Sequence, residues 1–310
     1  MPNKQIILSL IKYLQQMKYT YRPLILLAFA GFLLLAGWLA RTNKSETEAK
    51  AEPSASMEQA TKIKKPKSQT DSVRNLIEVP APLANSADKA KPAELIVVHK
   101  AYTLSFNTQT NEPNWVAWEL TEHETEGTLG RSNDFEPDPT IPTEHQVYSY
   151  DYKGSGYDRG HMAPAADMKW NPQVMAECFY MSNMCPQIHA LNDGGWKRLE
   201  DACRRWAEKY GNIYIVCGPI FDKEKVAETI GVDHQVMVPE AFFKAIVCLQ
   251  DGHQMGIGFI FENSEIKQTL GGTATTIDAV EGATGYDLFP NLPDDLEKEL
   301  ESQCNLTKWN

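Results

Sequence analysis

The chain has 310 residues, 42% of them hydrophobic, and a formal net charge of −11. This is enough apolar material for one large domain or two small ones. Residues 1–94 carry 14 Lys/Arg against 8 Asp/Glu, whereas residues 95–310 carry 16 against 33, a balance of −17. That balance excludes capture of a polyanion by overall charge and leaves only a locally focused basic cleft.

Pro23 to Ala40 is an 18-residue run without a charged side chain, long enough to cross a hydrocarbon core. Lys4, Lys12, Lys18 and Arg22 precede it with no acidic residue among them. By the positive-inside rule, residues 1–22 stay cytoplasmic and the chain beyond Ala40 crosses the membrane. The run is longer than a typical h-region, and its lead is longer than a typical n-region. The expectation is an uncleaved signal anchor at residues 23–40 in a bacterial inner membrane, with the remainder on the periplasmic side. Secretion after cleavage and a mitochondrial targeting segment are the alternatives. Residues 41–94 turn to Lys, Glu, Ala, Ser, Thr and Pro, a composition that predicts a disordered tether.

Residues 95–310 read as the folded domain. Leu95–Val98, Tyr102–Phe106 and Trp115–Leu120 read as strands. Thr121 to Glu144 is acidic, holds three prolines and lacks periodicity, which predicts a long surface loop. Arg131 inside it either pairs with Asp134 or Glu136, or reaches an anionic ligand. Cys178–Met181 reads as a strand. Asn192 or Asp193 caps a helix whose Trp196, Leu199, Cys203, Trp206 and Tyr210 fall at steps of 3, 4, 3 and 4, and Gly211 stops it. Glu200 and Arg204 lie four apart on another face, the spacing of an exposed ion pair. Ile213–Cys217, Gln235–Val238, Ala241–Leu249 and Gln254–Phe261 read as further strands. Thr276–Ala283 and Pro293–Cys304 read as helices, and the acidic run Asp294–Glu301 as a solvated face. Strands are not alternated with helices, so the prediction is an α+β domain with a mostly antiparallel central sheet.

The chemistry concentrates between Tyr157 and Arg205. Asp158-Arg159-Gly160-His161 is followed by Ser182-Asn183-Met184-Cys185-Pro186-Gln187, then by Asn192, Glu200 and Arg204. A proton acceptor, a neutral oxygen ligand, a carboxylate and guanidiniums are the parts needed for metal-assisted attack on a phosphodiester. Lys197, Arg198, Arg204, Arg205 and Lys209, with Arg159, would supply the basic cleft.

Together with Pro113-Asn114-Trp115-Val116-Ala117-Trp118-Glu119, these motifs make residues 95–295 resemble the DNA/RNA non-specific endonucleases, the endonuclease G-like family. The resemblance implies a ββα-metal (His-Me finger) fold, a mostly antiparallel sheet flanked by helices. It implies His161 as general base, Asn192 as direct ligand of Mg²⁺ (Mn²⁺ or another divalent cation in its place), and Glu200 holding the ion through water. Arg131, Arg159 and Arg204 match supporting, substrate-binding positions, and Asn183 a further active-site Asn. DNA and RNA are the implied substrates, and a homodimer stays open. A neutral His near its ordinary pKa of about 6.5 suits the base role.

Cys178, Cys185, Cys203, Cys217, Cys248 and Cys304 fit either three disulfides or buried free thiols. Cys185 and His189 have no second pair to complete a zinc site. Gly154-Ser155-Gly156 lacks the form of a serine nucleophile elbow. The rival from another class is a membrane-tethered polyanion-binding module without catalysis.

Overall fold

The computed structural model describes residues 76–83, 94–222, 224 and 226–310. The predicted anchor at 23–40 and most of the tether lie outside them. Among the described residues, no helix is long and apolar enough to cross a membrane.

In chain order the main elements are β1 (Glu94–Val98), β2 (Thr103–Asn107), β3 (Glu112–Thr121), β4 (Asp158–His161), α1 (Pro172–Glu177), β5 (Met184–Gln187), α2 (Lys197–Tyr210), β6 (Asn212–Ile220), β7 (Ala241–Cys248), β8 (Met255–Glu262), β9 (Ala274–Thr275), α3 (Ile277–Thr284) and α4 (Asp294–Glu301). Seven strands make one sheet in the order β9-β8-β7-β6-β3-β2-β1, every pair antiparallel. The α+β prediction therefore holds.

Alternation along the central strands explains why both sheet faces are covered. On β3, Val116, Trp118 and Leu120 enter one core, while Trp115 and Ala117 enter the other. On β7, Phe242 and Ile246 face the first core, and Phe243, Ala245 and Val247 the second. A period of two with apolar residues at both parities is the pattern of a sheet buried on both sides. The first core takes α2 through Leu199, Cys203 and Trp206; the second takes α3 and α4 through Ile277, Val280 and Leu300. Burying each such large side chain contributes about 1.5–3 kcal/mol.

Several local expectations change. Cys178–Met181 is not a strand: Asn171 accepts from the Gln173 and Val174 amides, Pro172 opens α1, and Cys178 closes it. That is a capped helix start with proline in the first turn. Asp158–His161 forms a strand. All six cysteines are free, five of them buried. Residues 76–83, within the tract read as tether, pack on the domain: Ala81–Pro82 pairs with Tyr286–Asp287, and Leu76 accepts from Asn291. Asp294–Glu301 is not a wholly solvated face, because Leu300 and Glu301 are buried.

Candidate active site

β4 and β5 run antiparallel, with Asp158 opposite Gln187 and His161 opposite Met184. Gly160 permits their close fit, since a Cβ there would lie 2.2 Å from Gln187 Oε1. Asn183 fastens the chain leaving β4. Its Oδ1 accepts the Ala163 N–H at 2.9 Å, and its Nδ2 donates to the carbonyls of Ala163 and Cys178, both at 2.9 Å. Both ends of this buried amide are spent on backbone, and it does not line the cavity described below.

His161 is only 7% exposed, and its Nε2 is buried with no partner among the described residues. The ring stands edge-on to Phe179 at 4.8 Å and lies 5.7 Å from Phe135. Burial, reinforced by the charges of Arg131 and Arg159, pushes its pKa down to about 3. Both effects disfavour a second proton. The sequence-based expectation of a histidine near 6.5 is corrected: the imidazole is neutral throughout the physiological range.

Asn192 arrives on a widened, π-helical turn, Leu191–Trp196, that leads into α2. The expected side-chain cap does not form. Instead Asn192 Nδ2 donates to Asp158 Oδ2 at 2.9 Å, and His189 Nδ1 donates to the same oxygen at 2.7 Å. An amide held by its nitrogen keeps its oxygen lone pairs for a cation. Trp196 ties this turn to the histidine strand, its indole N–H donating to the His161 carbonyl at 3.2 Å. Gly195 admits the approach to the sheet, where a Cβ would meet the Phe261 ring at 2.7 Å.

His161, Asn192, Arg131, Arg159, Glu200 and Arg204 line one cavity of about 590 Å³, with Lys169, His189, Asp193, Lys197 and Asp201. A second hollow of about 420 Å³ shares Arg131, Arg159 and Asn192 with it. Arg131 is exposed and sits 5.3 Å from the centre of the Phe179 ring. It makes no ion pair with Asp134 or Glu136 among the described residues; Asp134 instead accepts from the Ser132 hydroxyl. Arg159 lies 4.1 Å over the Phe135 ring.

The expected Glu200–Arg204 ion pair is replaced. Arg204 Nη1 donates to Asp167 Oδ1 at 2.8 Å, and Nη2 donates to Asp201. Asp167 is 2% exposed, and a carboxylate that deeply buried requires a cationic partner. Half-buried Glu200 is left facing the cavity, and burial raises its pKa to about 7 against the opposing pull of Lys244 and Arg204. Of the remaining expected cleft cations, Lys197 pairs with Asp193, while Arg198 donates to the Gln268 carbonyl.

Sequence reasoning missed Lys244. It is 1% exposed and lies 4.5 Å from the Trp196 ring and 5.0 Å from Trp118. The signal was present: one lysine in the otherwise apolar strand Ala241–Cys248, at the parity of Phe242 and Ile246. The amide-holding role of Asp158 and the arginine-holding roles of Asp167 and Asp201 were also missed.

An antiparallel strand pair carrying a histidine, a following helix carrying Asn and Glu, and arginines around a shared cavity define a ββα-metal nuclease fold. A model of the DNA/RNA non-specific endonucleases matches residues 81–295. The chain is 35% identical over 228 residues to "Nuclease 1, mitochondrial" of Schizosaccharomyces pombe, covering 67% of this chain and 71% of that protein. It is 32% identical to "Endonuclease G, mitochondrial" of Bos taurus, covering 62% and 68%, and 32% identical to "Nuclease" of Nostoc sp., covering 72% and 84%. The crystal structure of an EndoG/EndoGI complex superposes with a TM-score of 0.60 at 30% identity, covering 64% of this chain and 86% of that one. The chain belongs to the DNA/RNA non-specific endonuclease family and is a hydrolase of nucleic-acid phosphodiester bonds.

Proposed function

We propose that this protein is a divalent-cation-dependent endonuclease that cuts DNA and RNA with little regard to sequence. The observation that carries this reading is the partnerless Nε2 of neutral His161 on the cavity that Asn192 also lines. In it, His161 takes the proton from the attacking water as general base. Asn192 holds the cation directly and Glu200 through water, a hard-oxygen set suited to Mg²⁺, with Mn²⁺ as a substitute. When bound, the cation stabilises charge on the phosphate and the leaving 3′ oxygen. Arg131 and Arg159 bind phosphate oxygens, and Arg204, fixed by Asp167 and Asp201, adds positive charge from the helix side. Asn183 acts as a positioning residue through the backbone after His161. Contacts confined to phosphate and sugar carry little sequence information.

Digestion of circular single-stranded DNA with Mg²⁺ or EDTA tests this reading. The expected result is opened circles with Mg²⁺ and intact circles with EDTA. Binding without cleavage under Mg²⁺ and Mn²⁺ would leave the polyanion-binding module instead.

For location, the uncharged Pro23–Ala40 run supports a bacterial inner-membrane anchor with the nuclease domain outside the cytoplasm. The mitochondrial names of several relatives support the organellar alternative. Alkaline extraction of membranes separates an integral anchor from a soluble, processed form. Exposed Ile96 and Val98 on the edge strand β1 support a homodimer, which sedimentation would detect.

A further inference from the structure

The second hollow, of about 420 Å³, opens beside the catalytic cavity and shares Arg131, Arg159 and Asn192 with it. Its size falls within the range of about 300–1,000 Å³ usual for ligand pockets. The proposed chemistry occupies the shared residues and leaves the rest of this wall without a task. That wall is aromatic, holding Phe135, Tyr150, Tyr152 and Tyr157. Three of these are otherwise engaged. Phe135 carries the Arg159 guanidinium at 4.1 Å, Tyr152 is 4% exposed, and the Tyr157 hydroxyl donates to Glu228 at 3.0 Å. Tyr150 differs, with 45% of it exposed.

The exposed ring is held in place from several sides. It sits on one tight helical turn, Ser149–Tyr152, built around the 2% exposed Asp151. Asp151 Oδ2 accepts the Tyr148 N–H at 3.0 Å, and its Oδ1 accepts the Val232 and Asp233 N–H groups at 3.1 and 3.2 Å. The Tyr150 ring stacks on Tyr148 with centres 5.2 Å apart and planes 12° from parallel, and Tyr148 leans on His234 at 5.5 Å. The Tyr150 hydroxyl donates to the Asp233 carboxylate. Gly154 and Gly156, both at positive φ, carry the chain from this turn into β4. A ring ordered before its ligand arrives loses little entropy on binding. Charge favours an anionic ligand: Arg131, Lys153 and Arg159 line the hollow against one carboxylate, Asp158, already bonded to Asn192 and His189.

An open aromatic face beside cations is the combination that binds single-stranded nucleic acid. We propose that this hollow receives one unpaired nucleobase next to the scissile phosphate, stacked on Tyr150, and that the enzyme therefore prefers single-stranded DNA and RNA. Arg131 and Arg159, common to both hollows, hold the phosphate that joins base to cleavage point. A base in a duplex must first leave its pair and its stack, at a free-energy cost, so duplexes fill the hollow poorly. Stacking accepts any base, because each has a π-face; the subsite selects strandedness without selecting sequence. The position of the scissile phosphate rests on the nuclease reading of the adjoining cavity.

The test is equilibrium binding of the full chain to a labelled oligonucleotide in EDTA, where no cleavage is needed. Three probes are compared: the single strand, the same strand with abasic residues in place of its bases, and its duplex. Wild type binds the base-bearing single strand most tightly. Tyr150→Ala weakens that binding by about 5–150-fold, the usual worth of one stacked base, and Tyr150→Phe restores it. The abasic strand is bound weakly by wild type, a comparison that needs no variant to fold. Equal affinity of wild type for base-bearing and abasic strands, a preference for duplex, or no binding of the single strand overturns the proposal. So does a Tyr150→Ala protein that binds the single strand as wild type does. Cleavage under Mg²⁺ with any of these outcomes removes the subsite and keeps the nuclease; the expected binding pattern without cleavage does the reverse.

Discussion

Asp158 Oδ2 accepts the side-chain amide of Asn192 at 2.9 Å, across 34 positions of sequence. The carboxylate that opens the Asp-Arg-Gly-His motif therefore orients an amide on the helix turn. Partners that fix a ligand's orientation are worth about 10–100-fold in metal affinity. Asp158→Ala is expected to raise the Mg²⁺ concentration for half-maximal cleavage by about that factor. An unchanged Mg²⁺ titration would leave Asp158 with no hold on the proposed metal ligand.

His161→Ala should lower kcat by about 10²–10⁴-fold, the usual contribution of a general base, while the protein still melts cooperatively and retains DNA. The imidazole is a lone-pair donor among the residues lining the cavity, and alanine supplies none. Substantial remaining activity would assign the base elsewhere.

The pH profile should report Glu200, not His161. His161, with its pKa pushed down to about 3, stays neutral above that value and gives no limb near 6.5. Glu200, raised to about 7 by burial, gains its working carboxylate as pH rises through 7, so kcat/KM at subsaturating Mg²⁺ climbs there. Lys244 lowers the Glu200 pKa; Lys244→Met removes that positive charge and should move the limb to higher pH. A limb that stays in place would detach Glu200 from it.

What the sequence disclosed depended on the range of each interaction. The strands of the large sheet were readable because apolar side chains alternate or run continuously along Trp115–Leu120 and Ala241–Leu249, and α2 because its stripe steps by three and four. Motif spacing led to His161, Asn192 and Glu200, and the fold carries all three to one cavity. Pairings were not readable. Glu200 and Arg204 looked like partners at helical spacing, but Asp167 reaches Arg204 from 37 positions away and is far more buried. The fall in the His161 pKa needed Phe135, Phe179 and two arginines assembled around it, which no local pattern encodes. Cys178–Met181 was misread because its apolar residues outweighed the Asn171-Pro172 start signal just upstream.

Gly160→Ala should destabilise the protein by about 1–3 kcal/mol through overpacking. The new methyl would meet Gln187 at 2.2–2.6 Å, and Gln187 is fully buried between its neighbours. Relief requires the buried Gln187 side chain to repack or β4 to move from β5, and the second displaces His161. Urea unfolding should show a lower midpoint with an unchanged slope, and cleavage should fall more than folding does. Wild-type stability would mean that the strand pair relaxes freely.

Salt should separate the arginines that capture substrate from those already committed. The domain's balance of −17 works against polyanions, so capture must come from the cavity. There Arg204 is occupied by Asp167 and Asp201, and Lys197 by Asp193. Arg131 and Arg159 make no ion pair among the described residues; each lies over an aromatic ring. Each phosphate neutralised releases counterions, so log(kcat/KM) should fall linearly with log[salt]. Arg131→Ala should lessen that slope by about 1 and slow cleavage of every sequence alike. Lys197→Ala, which removes a cation already paired with Asp193, should change the slope much less. Equal slopes in wild type and Arg131→Ala would take Arg131 off the path of the phosphate backbone.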